Sequence, residues 1–311
     1  MRRFSLIWSV LVLCVTFSAS AVSAEEPFTV VPLAFSYLHF FAPVSVNGSK
    51  TMWLGIATDF RVSLISLNAS QALSLPTVNS AATLAIVRDS GDKSAVGYAQ
   101  SVKSMDTEFG PAYFVETPLS FPIARAGHGR VAFDKEGLLG TDFLVKHGAV
   151  INWRTAQIFF SRDATKLPLT PERYEEMGFS YIPIRITPRG FVEVDSAIMG
   201  TTYSFLINTG TNETLLASAI EKQAHVATHR AGVLLSFPYD GIKNEPVTIG
   251  RLRGFKLGDH DLSDFDLSFG QLPSKNLGLL HDWGGIIGTE LLIHRNAIID
   301  LGNRALYLRN G

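Results

Sequence analysis

Ser204-Phe-Leu-Ile-Asn-Thr-Gly-Thr-Asn-Glu-Thr-Leu-Leu216 is the stretch on which the reading of this chain turns. An apolar strand runs into Asn208-Thr209-Gly210, polar residues follow, and an apolar pair closes the segment. One half-chain earlier, Leu54-Gly-Ile-Ala-Thr-Asp-Phe-Arg-Val-Ser-Leu-Ile65 sits in the equivalent place. There Ala57 corresponds to Asn208, Thr58 to Thr209 and Asp59 to Gly210.

The correspondence extends well beyond these segments. Displaced by 151 residues, Phe28–Ser66 lies over Phe179–Ala217 without a gap, with Phe28 on Phe179, Pro32 on Pro183, Phe40 on Phe191 and Ile56 on Ile207. A displacement of 148 then carries Gly137-Leu-Leu-Gly-Thr-Asp-Phe-Leu144 onto Gly285-Ile-Ile-Gly-Thr-Glu-Leu-Leu292, and Ala149-Val-Ile-Asn152 onto Ala297-Ile-Ile-Asp300. Two matches in the same order at nearly the same offset indicate an internal duplication.

Each copy reads as β. Short runs rich in Val, Ile, Phe and Tyr are broken by turn residues, as where Tyr181–Ile186 is closed by Pro188-Arg-Gly190. Helical signal is confined to Asn68–Leu73, Ser218–Gln223 and Pro171–Met177, the last with Thr170 as N-cap and Pro at its first position. The expected organisation is a signal segment at 1–24, an N-terminal lobe at 25–161, a linker at 162–178 and a C-terminal lobe at 179–311.

Composition narrows the function classes. Met1-Arg-Arg, an apolar run from Phe4 to Phe17 and Ala21-Val-Ser-Ala24 have the form of a secretory signal peptide. The run falls short of the ~18–20 apolar residues of a membrane span. Export to the periplasm or the extracellular space is the expectation. The single cysteine, Cys14, lies inside that segment, so the remainder carries no disulfide and no thiolate metal site. Loss of Arg2 and Arg3 lowers the basic count from 27 to 25 against 28 acids, and Lys and Arg are scattered. Neither nucleic acid nor an anionic membrane is favoured by that balance.

Strand, Asp-Thr-Gly, strand, short helix and a late apolar-apolar-Gly element form the order of a retropepsin/pepsin-like lobe. The chain resembles the retropepsin/pepsin-like aspartyl protease family in its bacterial two-lobe form. Asn208-Thr-Gly210 with Phe205-Leu-Ile207 before it, the two Gly-apolar-apolar-Gly segments, and the tail Asn296–Arg309 carry the resemblance. It implies a mainly all-β fold of two pseudo-two-fold related β-barrel lobes with short helices. In that family two carboxylates, one per lobe, share a proton because like charges ~3 Å apart cannot both ionise. The Thr hydroxyls hold the two loops together, and the Gly lets backbone approach the carboxylates.

At the two acid positions this chain has Ala57 and Asn208. No catalytic residue is intact at the equivalent positions Ala57, Thr58, Asp59, Asn208, Thr209 and Gly210. Asp59 stands where Gly is expected, with a side chain that would point differently from one at position 57, and so reads as a poor substitute. Gly137, Gly140, Gly285 and Gly288 are expected to be structural. Phe237-Pro-Tyr-Asp-Gly241 reads as a hairpin tip where the family places its flap, making Tyr239, Asp240 and Gly241 peptide-cleft candidates, with Trp53 and Trp283 beside the two loops. Asp259, Asp261, Asp264 and Asp266 lack the glycine and terminal glutamate of a calcium loop and read as a solvated strand face. His260, His281 and His294 read as surface histidines. No metal and no cofactor is expected. The favoured function is an exported pseudoprotease that binds a peptide or protein between its lobes. The alternatives are an active endopeptidase with a non-standard site, and a structural or assembly protein.

Overall fold

Strands Val150–Asn152 and Ile298–Asp300, equivalent segments of the duplication, pair with each other antiparallel, Ile151 opposite Ile299. Antiparallel pairing of two like strands places a local two-fold axis between them. Outward from this pair the first half adds Gln157–Ser161 and Phe28–Pro32. The second half adds Ala305–Arg309 and Phe179–Ile186 in the mirrored order. Ile151 and Ile299 are fully buried, as apolar residues on a sheet covered on that face must be.

The structure is a computed structural model that describes residues 28–36, 39–78, 95–118, 136–161, 169–236, 243–272 and 283–309. The expected signal segment, the hairpin tip with Tyr239, Asp240 and Gly241, and His281 lie outside the described residues. The described strands form two sheets, one of 15 and one of 9 strands. The larger contains the shared strands and runs into the second half, while the smaller belongs to the first. The chain is mainly β, and its described helices are six residues each.

The halves repeat one local topology. In the first, Gly137–Leu139 runs parallel to Met52–Ile56 and antiparallel to Leu64–Ser66. In the second, Gly285–Ile287 runs parallel to Thr201–Ile207 and antiparallel to Leu215–Ala217. Each three-strand set thus brackets one of the two loops singled out in the sequence. Side chains of both halves, such as Leu54, Ile151, Ile207 and Ile299, belong to one continuous buried core.

Helices Leu67–Ala72, Pro171–Glu176 and Ser218–Gln223 match the expected ones closely. Two more, Thr141–Lys146 and Thr289–His294, follow the Gly-apolar-apolar-Gly segments and are not anticipated by the sequence reading. His260 is a correction. It is 6% exposed, and burial holds its imidazole below the usual range, so it belongs to the interior. Among the described residues no helix is long and apolar enough to cross a membrane.

Candidate functional site

Each loop starts where its strand leaves the sheet. The Ala57 N–H donates to the Leu139 carbonyl at 3.1 Å, and the Asn208 N–H donates to the Ile287 carbonyl at 3.0 Å. The next residues lock the loops together. The Thr58 N–H donates to Thr209 Oγ1 at 3.0 Å, and the Thr209 N–H donates to Thr58 Oγ1 at 3.2 Å. Each hydroxyl then donates onward across the axis, Thr58 to the Ile207 carbonyl at 2.7 Å and Thr209 to the Ile56 carbonyl at 2.6 Å. Both threonines are buried, and the reciprocal set satisfies the buried donors and acceptors that would otherwise be orphaned. Ala57 and Asn208 therefore stand one residue from the axis, at equivalent points of the two loops.

Glycine is required where backbones cross beside these loops. A Cβ on Gly140 would lie 2.5 Å from the Val62 carbonyl, and one on Gly288 would lie 2.3 Å from the Glu213 carbonyl. Gly137 and Gly285 press in the same way on Leu64 and Leu215, at 2.3 and 2.5 Å.

The equivalent positions differ in their surroundings. Ala57 is 1% exposed and packs in an apolar cluster with Val62, Leu64, Val96, Val115 and Leu138. Asn208 is partly accessible, and its Oδ1 accepts the Gly210 N–H at 2.7 Å. That bond turns the Asn208 amide nitrogen away from Gly210. The Asn208 side chain hydrogen-bonds the carboxyl of Asp59. Asp59 thus reaches across to the opposite loop, where a Cβ on Gly210 would lie 3.1 Å from both Asp59 Oδ1 and Asn208 Oδ1. The residue as a whole is partly exposed, but Oδ1 is enclosed and has no hydrogen-bond partner. Burial pushes the Asp59 carboxyl up to about 6, against the opposing pull of its own backbone N–H and of Asn208. The absence of a side chain at Gly210 leaves the space that the Asp59 carboxyl occupies.

Other sequence candidates fall elsewhere. Trp283 is 3% exposed, stacks edge-on against Phe191 at 5.5 Å and donates its indole N–H to Glu193 Oε1 at 2.9 Å. It is a core residue, not a cleft residue, because its one polar atom is used inside. Trp53 is half-buried, its Cα across from Pro43 on the neighbouring strand. The hairpin that leads to Tyr239, Asp240 and Gly241 is formed by Thr228–Ser236 and Lys243–Gly250.

Sequence reasoning missed His39, whose Nδ1 lies 3.3 Å from the Thr209 carbonyl, and no motif marks it. An open hollow of about 370 Å³ beside helix Thr141–Lys146 is lined by Arg61, Asp142, Lys146 and Pro188, and neither Asp59 nor Asn208 borders it. Asp264 and Asp266 are tied to Arg295 and Arg251 at 3.4 and 2.7 Å, and among the described residues no cluster of three or more potential ligands could hold a metal ion.

No protein-family profile matches the chain, and no curated protein matches it. Solved structures do. Basic 7S globulin from soybean superposes with a TM-score of 0.47 at 12% identity, covering 91% of this chain and 94% of that one. Conglutin gamma, a basic 7S globulin from lupine seeds, gives 0.47 at 12% identity over 92% and 96%. The aspartic proteinase from Irpex lacteus gives 0.46 at 14% identity over 91% and 97%.

Proposed function

We propose that this is an exported protein with an aspartic-protease-like fold that binds a peptide or protein segment between its two lobes without cleaving it. One observation carries the reading: Ala57 and Asn208 occupy the two points, equivalent across the Thr58–Thr209 lock, at which such a site needs its carboxylates. Neither side chain ionises. The shared-proton arrangement, with one carboxylate taking a proton from water while its partner polarises the carbonyl, cannot be assembled from them. A positioned acid or base contributes ~10²–10⁴ in rate, and both groups are replaced while the scaffold around them is kept. The basic, apolar and small-residue succession of the first 24 residues supports export. Lobes at 25–161 and 179–311 are the units on either side of the proposed binding region.

A second reading is favoured by Asp59 alone, since one carboxyl that titrates at about 6 lies against Asn208. It would be an endopeptidase with a single-carboxyl site. Incubation of the purified protein with casein and a peptide mixture from pH 3 to 7.5, with and without pepstatin, separates the two. The expected result is retention of peptides with no pepstatin-sensitive cleavage. Cleavage that disappears in Asp59→Ala would transfer the assignment to the endopeptidase.

A further inference from the structure

The hollow of about 370 Å³ beside helix Thr141–Lys146 has the size of a small-ligand site, and its walls come from both halves of the chain. Arg61, Asp142, Val145 and Lys146 stand on the first half, Ile186 and Pro188 on the second. Arg61 follows Asp59 by two residues, so the hollow adjoins the loop junction without including its carboxyl–amide pair. The two halves touch within its lining, where Thr141 Oγ1 donates to the Gly190 carbonyl at 2.7 Å. Gly190 has a φ of +80°, and a Cβ there would lie 2.8 Å from that hydroxyl and 2.9 Å from Arg61 Cγ. Glycine thus permits both the turn and the close approach.

The lining combines two chemistries. Val145, Ile186 and Pro188 are apolar, while Arg61 and Lys146 are cations. Asp142 is the carboxylate among them, and its Oδ1 already accepts the Ser63 hydroxyl at 2.8 Å and the Phe143 N–H at 2.7 Å. Two cations against one carboxylate leave an excess of one positive charge. Lys146 Nζ donates to the Pro111 carbonyl at 3.3 Å, and an ammonium has three donors to give. A guanidinium presents a fork that matches a carboxylate. The ligand that answers both chemistries carries a carboxylate directly beside an apolar group. An aspartate or glutamate side chain brings its charge with only one or two methylenes. An apolar last residue of a peptide brings carboxylate and side chain from a single Cα.

We propose that this hollow takes the free C-terminus of a peptide, with Arg61 and Lys146 on its terminal carboxylate and an apolar last side chain against Val145, Ile186 and Pro188. The inference rests on the peptide-binding reading above and names the class of its ligand: chains that end at the hollow. A chain that runs on past this point presents a neutral amide where the charge is needed. Asp142 opposes the incoming carboxylate, so binding draws on both cations together.

The test uses a randomised hexapeptide mixture made twice, with a free C-terminal carboxylate and as the C-terminal amide, each passed over the immobilised protein at neutral pH in low salt. The best-retained free-acid sequence is remade in both forms with an N-terminal fluorescein. Its Kd is then measured on wild type, Arg61→Gln, Lys146→Gln and Asp142→Asn. On wild type the acid should bind at least about tenfold more tightly than the amide. Arg61→Gln and Lys146→Gln should each cut that ratio to about threefold or less, and Asp142→Asn should widen it. Exchange of the apolar last residue for glycine should weaken the acid at least about threefold. Lys146 is exposed, so Lys146→Gln decides the matter even if Arg61→Gln, whose stem packs beside Gly190, fails to fold. An acid that binds no better than its amide, or an amide mixture retained where the acid mixture is not, overturns the proposal and leaves peptide binding standing. A preference for the acid that survives in the cation variants does the same. Affinity that follows an internal aspartate or glutamate instead of the terminus overturns the assignment to a C-terminus. Retention of neither mixture overturns both readings.

Discussion

Asp59 crosses from its own loop to lie against Asn208 on the opposite one, so the junction of the two halves holds one carboxyl beside an amide. A single acid displaced by burial leaves a signature in stability.

The folded protein holds the Asp59 proton up to about pH 6, whereas an unfolded chain releases it near 3.8. Between those values the native state binds more protons than the unfolded state, so stability falls as pH rises from about 4 to 6 and the penalty is complete above 6. Asp59→Asn removes it. Urea denaturation at pH 8 should show the variant more stable by up to about 3 kcal/mol, with the gain gone at pH 3.5. Equal stability at both pH values would mean that the carboxyl is not displaced.

Ala57→Asp tests whether the first acid position could be refilled. The new carboxyl would enter the cluster of Val62, Leu64, Val96, Val115 and Leu138. At pH 7 the cost should be at least about 2 kcal/mol, easing as the solution is acidified and the group becomes neutral. Thermal melts at pH 4 and 7 measure both quantities.

Thr58→Ala and Thr209→Ala each delete one hydroxyl from the reciprocal lock. Each should cost about 1–3 kcal/mol, because a buried N–H and a buried carbonyl on the other half lose a partner. The double variant should cost less than the two losses added together, since each hydroxyl serves the same network. A double-mutant cycle in urea reads the coupling directly.

Trp283→Phe keeps the ring against Phe191 but removes the donor to Glu193. A loss of about 1–3 kcal/mol is expected, with retention of peptides unchanged because Trp283 has no surface to offer them. Weaker retention at unchanged stability would return Trp283 to the list of ligand contacts.

The duplication made much of this legible beforehand. Offsets of 151 and 148 foretell the matched strand sets around Gly137–Leu139 and Gly285–Ile287, and Thr58 and Thr209 occupy equivalent points in the two segments from which the reading starts. What escaped a sequence reading depends on partners far along the chain. Trp283 reads from sequence first as a core aromatic with a cleft role as the alternative, and only its partner Glu193, ninety residues away, accounts for its N–H. The direction of Asp59 depends on the empty space at Gly210, which no local pattern encodes. Helices Thr141–Lys146 and Thr289–His294 are short and apolar enough to pass for strand continuations, although Asp142 and Glu290 in their first turns are a helix-start signal.

The pairing of Ile151 with Ile299 bears on how the molecule can be divided. Severed in the 162–168 stretch, the chain would give two fragments, each with an unpaired strand edge in place of its neighbour. Such edges seek other strands. Mixed together, the fragments should reassociate through them, and kept apart they should self-associate. Neither fragment would be a small version of the whole, because the threonine lock and the carboxyl–amide pair exist only where both are present.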